Sequence, residues 1–228
     1  MAPRILLADD DETVRLICEN AFRLEGLELL HAGSVDQVKA QIEVLVPDVL
    51  IMNSRLPGGS GGGLCRELRL DRRCSRLPII LLVPQQDPDD RIRALSQGAD
   101  DCLVLPIVPA ELGLRAKNLL RRSNPALLDQ MLRVGDLTID RERRRVHRQT
   151  RELRLGPTEY RLLEFLMQYP GKVFSRAELR SSLWGADASV DERAIDLHVG
   201  RLRKVISLGK SDNLIRTVRG AGYALTDC

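Results

Sequence analysis

The stretch "PDVLIMNSRLPGGSGG", residues 47–62, decides how the front half of the chain folds. The apolar run 49–52 is too short for a helix and matches a strand buried on both faces, as in a parallel sheet. It delivers Asn53 to its carboxyl end, where a Gly- and Pro-rich loop follows, and that edge is where open α/β sheets place their sites. A carboxamide is a poor nucleophile and neither an acid nor a base at neutral pH. The glycines at 58–63 lack the following Lys-Ser/Thr of a nucleotide-binding P-loop.

Outward from this stretch the same alternation recurs. "RILLA" (4–8), "LELLHA" (27–32), "PIILLV" (78–83) and "DCLVL" (101–105) are further short apolar runs. Between them lie helical patterns. In the first, Val14, Ile17, Cys18, Ala21, Phe22 and Leu24 recur near 3.6-residue spacing, and Gly26 ends it. Ser34 is placed to cap the second. Helices are also expected over 62–70, 87–99 and 109–122. Five strands alternating with five helices predict a doubly wound, five-stranded parallel sheet of the flavodoxin-like α/β class. Its strand ends carry Asp9 and Asp10, Asn53, Val83 and Leu105.

The chain has 228 residues, enough for one large or two ordinary domains. At 43% hydrophobic and 29% charged it has the composition of a water-soluble globular protein. No run approaches the ~18 apolar residues of a membrane span, and "MAPRILLADDDE" lacks the layout of a signal peptide. The expected compartment is the cytoplasm, with no membrane partner. Cys18, Cys65, Cys74, Cys102 and Cys228 are scattered, odd in number and without a CxxC, as befits reduced thiols. Residues 1–122 carry 16 Lys and Arg against 18 Asp and Glu, whereas residues 131–228 carry 19 against 13. A near-neutral front and a basic back suggest a sensing or assembly module joined to one that binds a polyanion.

Asn124-Pro125 ends the last front-half helix by about residue 123. This sets domains at 1–123 and 131–228 with a linker over 124–130. Beyond it, 131–156 alternates apolar and polar residues, with turn signals at Gly135-Asp136 and Gln149-Thr150, and reads as a small antiparallel sheet. Three helices follow. The second opens on a capping box, Ser175 with Glu178, and the third on another, Ser189 with Glu192. Around the third helix Ile195, Val199, Leu202 and Ile206 share one side. Arg193, Leu197, Gly200, Arg201 and Lys204 lie opposite, with His198 and Arg203 on the flanks. An apolar back and an Arg-rich front suit a helix that packs on a core and enters the major groove. "TVRGAGY" then makes a tight turn between two strands, where Arg219 can reach a minor groove.

"ILLADDDE", "PDVLIM…LPGGSG" and "GADDCLVLP" resemble the response-regulator receiver domain. "GPTEYRLLEFL", "SRAELRSSLWG", "DERAIDLHVGRLRKVI" and "IRTVRGAGYAL" resemble the winged helix-turn-helix (α+β) effector domain of the OmpR/PhoB class. The first resemblance implies Mg²⁺ at Asp9 and Asp10, phosphoryl acceptance at position 53, and switching groups at 83, 102 and 105. Here those four positions hold Asn53, Val83, Cys102 and Leu105, so the phosphorylation site is expected to be degenerate and any Mg²⁺ binding weak. The second implies DNA contacts from Arg193, His198, Arg201, Arg203, Lys204 and Arg219. It also implies an RNA polymerase contact in 183–192, with Trp184, Gly185, Val190, Asp191 and Glu192. Homodimers of this class assemble through receiver ion pairs, for which Arg91 with Glu111 and Asp101 with Arg115 are candidates, while Ser96 leaves Lys117 without its expected acidic partner. The expectation is a non-enzymatic transcription regulator binding direct-repeat DNA as a dimer, independent of phosphorylation and with no required cofactor or sensor kinase. Two alternatives stay open: a conventional phosphorelay regulator phosphorylated by another route, and a regulator controlled by a ligand or partner of its receiver.

Overall fold

The computed structural model describes residues 1–84, 89–185, 188–209 and 214–226, apart from the side chains of residues 20, 21 and 24. The expected core positions Ala21 and Leu24, the start of the fourth helix at 87–88 and Cys228 therefore lie outside the described residues. The chain divides into two compact units, Ala2–Pro125 and Ala126–Cys228, with Met1 grouped with the second.

The first unit holds strands β1 (Arg4–Ala8), β2 (Glu28–Ala32) and β3 (Val49–Asn53). A two-stranded hairpin follows, β4 (Arg55–Leu56) and β5 (Gly59–Ser60), then β6 (Ile79–Val83) and β7 (Asp101–Val104). Its helices are α1 (Glu12–Leu24), α2 (Val35–Val44), α3 (Gly61–Leu70), α4 (Asp89–Ser96) and α5 (Pro109–Ser123). The five long strands form one all-parallel sheet in the order β2-β1-β3-β6-β7. The order reverses between β1 and β3, the switch point at which such sheets open a crevice. The apolar strand runs explain themselves, for both faces of β1, β3 and β6 are covered.

Local signals account for the helix ends. Asp11 caps α1 by accepting from Thr13 N, Ser34 caps α2 through Gln37 N, and Ser60 caps α3 through Gly63 N. Gly26 and Gly98 take positive φ just past α1 and α4. One position departs from the expected α1 face. Ile17 is exposed, and the helix core side rests on Cys18 and Phe22. The β4–β5 hairpin is an addition that periodicity did not reveal, because two-residue strands are too short to show a period. It folds Gly61 onto β3, where a Cβ would meet Asn53 O at 2.3 Å.

In the second unit a short 3₁₀ turn (Pro125–Leu127) leads into β8 (Met131–Val134), β9 (Leu137–Asp140), β10 (Arg145–Arg148) and β11 (Arg151–Leu153), an antiparallel four-stranded meander. Helices α6 (Pro157–Gln168), α7 (Arg176–Trp184) and α8 (Arg193–Ile206) follow, then the hairpin β12 (Ile215–Val218) and β13 (Gly222–Leu225). The Ser175–Glu178 capping box of α7 is complete. The box expected between Ser189 and Glu192 does not form. Instead α8 begins at Arg193, whose N–H bonds to the Asp191 carboxylate, and Glu192 stands at the cap without a side-chain bond. Phe174 pairs with Tyr223 in a single bridge that fastens the hairpin beside α7. Gly222 permits this approach, since a Cβ there would lie 1.9 Å from Phe174 O.

Candidate functional site

The sheet's switch point brings Asp9 and Asn53 together. Ala8 and Met52 are register partners, so the next residue of each chain stands at the open edge. Asp9 is completely buried, so its carboxylate needs donors within the fold. Its Oδ1 accepts from Asp11 N at 3.0 Å and its Oδ2 from Asn53 Nδ2 at 3.2 Å. Asn53 Oδ1 in turn accepts from Arg55 N at 3.0 Å. These two partners define the amide's orientation: a backbone N–H requires its oxygen, and a carboxylate requires its nitrogen. Burial pushes the Asp9 carboxyl up from its ordinary range, opposed by the Asp11 and Asn53 bonds.

Asp10 is exposed and lines a cleft of about 540 Å³ with Asn53, Arg55, Pro57 and Leu105. Val83 is buried and lines an adjoining cleft of about 290 Å³ with Ser54, Arg55, Arg93 and Gln97. Cys102 is buried in β7, and burial pushes its thiol up, away from reactivity. The residues present fit Mg²⁺ poorly. That ion prefers several hard oxygen ligands in near-octahedral array, and with Asn53 in place of a carboxylate only Asp9, whose two oxygens each accept a hydrogen bond, and Asp10 supply anionic oxygens at this edge. Among the described residues no group of three or more His, Cys, Asp or Glu could hold a metal ion.

The other edge of the sheet is β7, with α4 packed against it and α5 following. Arg115 bonds Asp101 at 2.8 Å and Glu111 at 2.7 Å within the same chain. Two of the residues expected to pair between protomers thus already satisfy Arg115 internally. Lys117, for which Ser96 left no partner, pairs with Glu25 beside α1. Ile92 and Leu95 on α4 and Leu114 on α5 are 69%, 52% and 62% exposed.

In the second unit α8 shows the two faces expected of it. Ile195, Val199, Leu202 and Ile206 are buried, whereas Arg193, Leu197, Arg201 and Lys204 are exposed. Arg219 is exposed on the hairpin turn, beside Gly220 at φ +74°. Two residues expected to contact DNA have partners within the domain. His198 is turned inward, with Nδ1 2.9 Å from Glu159 Oε1 and its ring 5.7 Å from Trp184. Arg203 donates to Ile215 O at 3.0 and 2.6 Å and to Thr217 Oγ1 at 2.7 Å, so its guanidinium is spent on the hairpin. Burial opposes ionisation of Glu159, but the His198 bond and nearby Arg201 hold its carboxyl below the ordinary range. Trp184 is half-buried against His198, Gly185 closes α7 at φ +89°, and Asp191 and Glu192 are exposed with Val190 partly so. Residues 186–187 of that loop lie outside the described residues.

Sequence reasoning missed several residues here. Arg148 is buried, donates to the α8 carbonyl Ile206 O at 2.5 Å, and pairs with Asp136 at 2.9 Å. A signal for it existed, because position 148 has the same inward parity as Val146. Tyr223 donates to Asp196 Oδ1 at 2.6 Å, and Arg176 Nε donates to the same oxygen at 2.8 Å. No periodicity announces that contact.

Comparison with known proteins agrees with this architecture. Residues 5–117 match the model of the response regulator receiver domain, and residues 150–225 that of the C-terminal domain of transcriptional regulatory proteins. The phosphate regulon transcriptional regulatory protein PhoB of Rhizobium meliloti is 47% identical over 225 residues, covering 99% of each chain. Its namesake in Escherichia coli K12 is 34% identical over 98% of this chain and 97% of its own. The solved receiver domain of Francisella response regulator 1452 aligns at TM-score 0.50 and 26% identity, covering 53% of this chain and 98% of that one. No described helix is long and apolar enough to cross a membrane. A parallel-sheet receiver joined to a winged-helix effector, with full-length relatives among PhoB proteins, makes this chain a member of the OmpR/PhoB family of response regulators.

Proposed function

We propose that the chain is a transcription regulator that binds direct-repeat DNA as a dimer, with a receiver that assembles it without phosphoryl switching. Residues 1–123 form the receiver, 124–130 the linker and 131–228 the DNA-binding domain. The carrying observation is the α8 front. Arg193, Leu197, Arg201 and Lys204 are all exposed opposite a fully buried side. Guanidinium groups suit guanine edges and phosphates, and Leu197 suits a thymine methyl. Arg219 on the hairpin is set to enter the adjacent minor groove. Exposed Ser189, Asp191 and Glu192 offer a surface to RNA polymerase.

The hydrogen bonds of Asn53 support a receiver that rests without cation or phosphoryl group. A carboxamide does not form an acyl phosphate by carboxylate attack, and Val83 and Leu105 offer no polar group to bond phosphoryl oxygens. Exposed Ile92, Leu95 and Leu114 support dimerisation at the α4–β7–α5 edge, with Arg91, Asp101, Glu111 and Arg115 at its rim. Exposed ion pairs add little each, so the apolar residues supply most of the affinity. The adjoining clefts beside Asn53 favour a second reading, a small ligand bound by the receiver in place of a phosphoryl group.

The light-scattering mass of full-length protein, with and without Mg²⁺ and a small phosphodonor, tests this. The proposal expects a dimer under both conditions and no added phosphoryl mass. A dimer formed only with the phosphodonor refutes it.

A further inference from the structure

Both halves of the candidate DNA surface, the α8 front and the Arg219 turn, are joined behind that surface by one polar network. Asp196 and Arg203 are seven residues apart, two helical turns, and so lie on one stripe of α8. Each grips a different strand of the hairpin. Asp196 accepts from the Tyr223 hydroxyl of β13 at 2.6 Å. Arg203 donates to Ile215 O and Thr217 Oγ1 of β12. The Tyr223 ring, itself buried, is in cation–π reach of two guanidiniums, with Arg176 Cζ 5.1 Å and Arg203 Cζ 5.6 Å from its centroid. Arg176 closes the network by donating to Asp196 Oδ1 at 2.8 Å from α7. Arg219 stands between the two gripped points, two residues after Thr217 and four before Tyr223.

We propose that this clamp of Asp196, Arg203, Thr217 and Tyr223 sets the wing's register on the recognition helix, making Arg203 and Tyr223 positioning residues for DNA binding. The proposal rests on the reading that α8 and Arg219 meet DNA. Major and minor grooves lie at fixed offsets on a duplex, so a helix and a wing that move as one body meet both without first being ordered. Burial and then the Asp196 carboxylate push the Tyr223 phenol up, which keeps it the donor in this bond across the physiological range.

The test is a double-mutant cycle on the full-length protein, using a duplex that the wild type selects from a random-sequence pool. Tyr223→Phe removes the hydroxyl and leaves the Arg176–Asp196 pair and the ring in place. Thr217→Val removes a partner of Arg203 on an exposed position and serves if Tyr223→Phe does not fold, as judged by circular dichroism. Arg219→Ala is expected to weaken binding by about fivefold or more in the wild type and by less than about twofold in either clamp variant. A clamp that only adds stability lowers the melting temperature but leaves the Arg219→Ala effect unchanged, and equal fold losses in all backgrounds overturn the proposal. An Arg219→Ala change that is silent already in the wild type overturns the underlying assignment of the wing, and with it the clamp.

Discussion

Replacing Asn53 by Asp tests whether the receiver's acidic site is closed by a hydrogen bond where a cation would otherwise be needed. The substitution sets a carboxylate where Asn53 Nδ2 now lies, 3.2 Å from Asp9 Oδ2. At an effective dielectric of 20, two unit charges at that distance repel by about 5 kcal/mol. Protonating one of them at pH 7 offers an escape at about 4 kcal/mol, roughly three pH units at 1.36 kcal/mol each. That escape caps the cost, and side-chain relaxation lowers it further, so a loss of about 2–4 kcal/mol is expected in chelator at pH 7. The carboxyl at 53 then has a folded pKa above its unfolded value. The folded variant binds protons more tightly than the unfolded chain, so its deficit shrinks as pH falls and vanishes below about pH 4. Millimolar Mg²⁺ recovers part of the loss, because the new carboxylate and Asp9 can share it. Urea unfolding followed by circular dichroism reports both domains, whereas fluorescence of Trp184, the sole Trp, reports the second. The loss belongs to the dichroism transition and is missing from the fluorescence one. An Asn53→Asp protein as stable as the wild type at pH 7 in chelator refutes the reasoning.

Four further outcomes concern the second domain. Arg201→Ala should weaken binding to the selected duplex by about 1–3 kcal/mol in a mobility-shift titration, while Lys204→Ala should reduce the slope of log K against log salt by about one. Arg148→Met removes the donor to Ile206 O and one of two donors to Asp136, which keeps Gln149 Nε2 at 3.1 Å, and should cost about 2–3 kcal/mol by fluorescence-detected unfolding, below the roughly 3–5 kcal/mol of a broken buried pair because Asp136 is partly exposed. Burial opposes but His198 and Tyr223 respectively hold the Glu159 and Asp196 carboxyls below their ordinary ranges. Depressed carboxyls contribute stability that is present above about pH 4.5 and lost as pH falls through their folded pKa values. Glu159→Gln should therefore flatten the acid limb of the fluorescence-detected stability curve, and an unchanged limb contradicts the assignment.

What the chain determines alone is what short-range physics controls. Ser34 and the Ser175–Glu178 box cap their helices because a cap needs only residues within three positions. The parallel sheet follows from strands too apolar to face water, and Asn53 stands at the end of β3 because the run stops there. The α8 faces follow from 3.6-residue spacing. Periodicity assigns an angle about a helix axis but not the neighbour met at that angle. His198 and Arg203 therefore read as flanking polar residues until tertiary packing set Glu159, 39 residues earlier, against one and Ile215 and Thr217 against the other. Ile17 read as core until the helix's rotation on the sheet turned it outward. Likewise Asp9 and Asn53, 44 residues apart, become hydrogen-bond partners only through the adjacency of β1 and β3. Burying a carboxylate requires donors, and which residues supply them is a property of the assembled sheet, not of either strand.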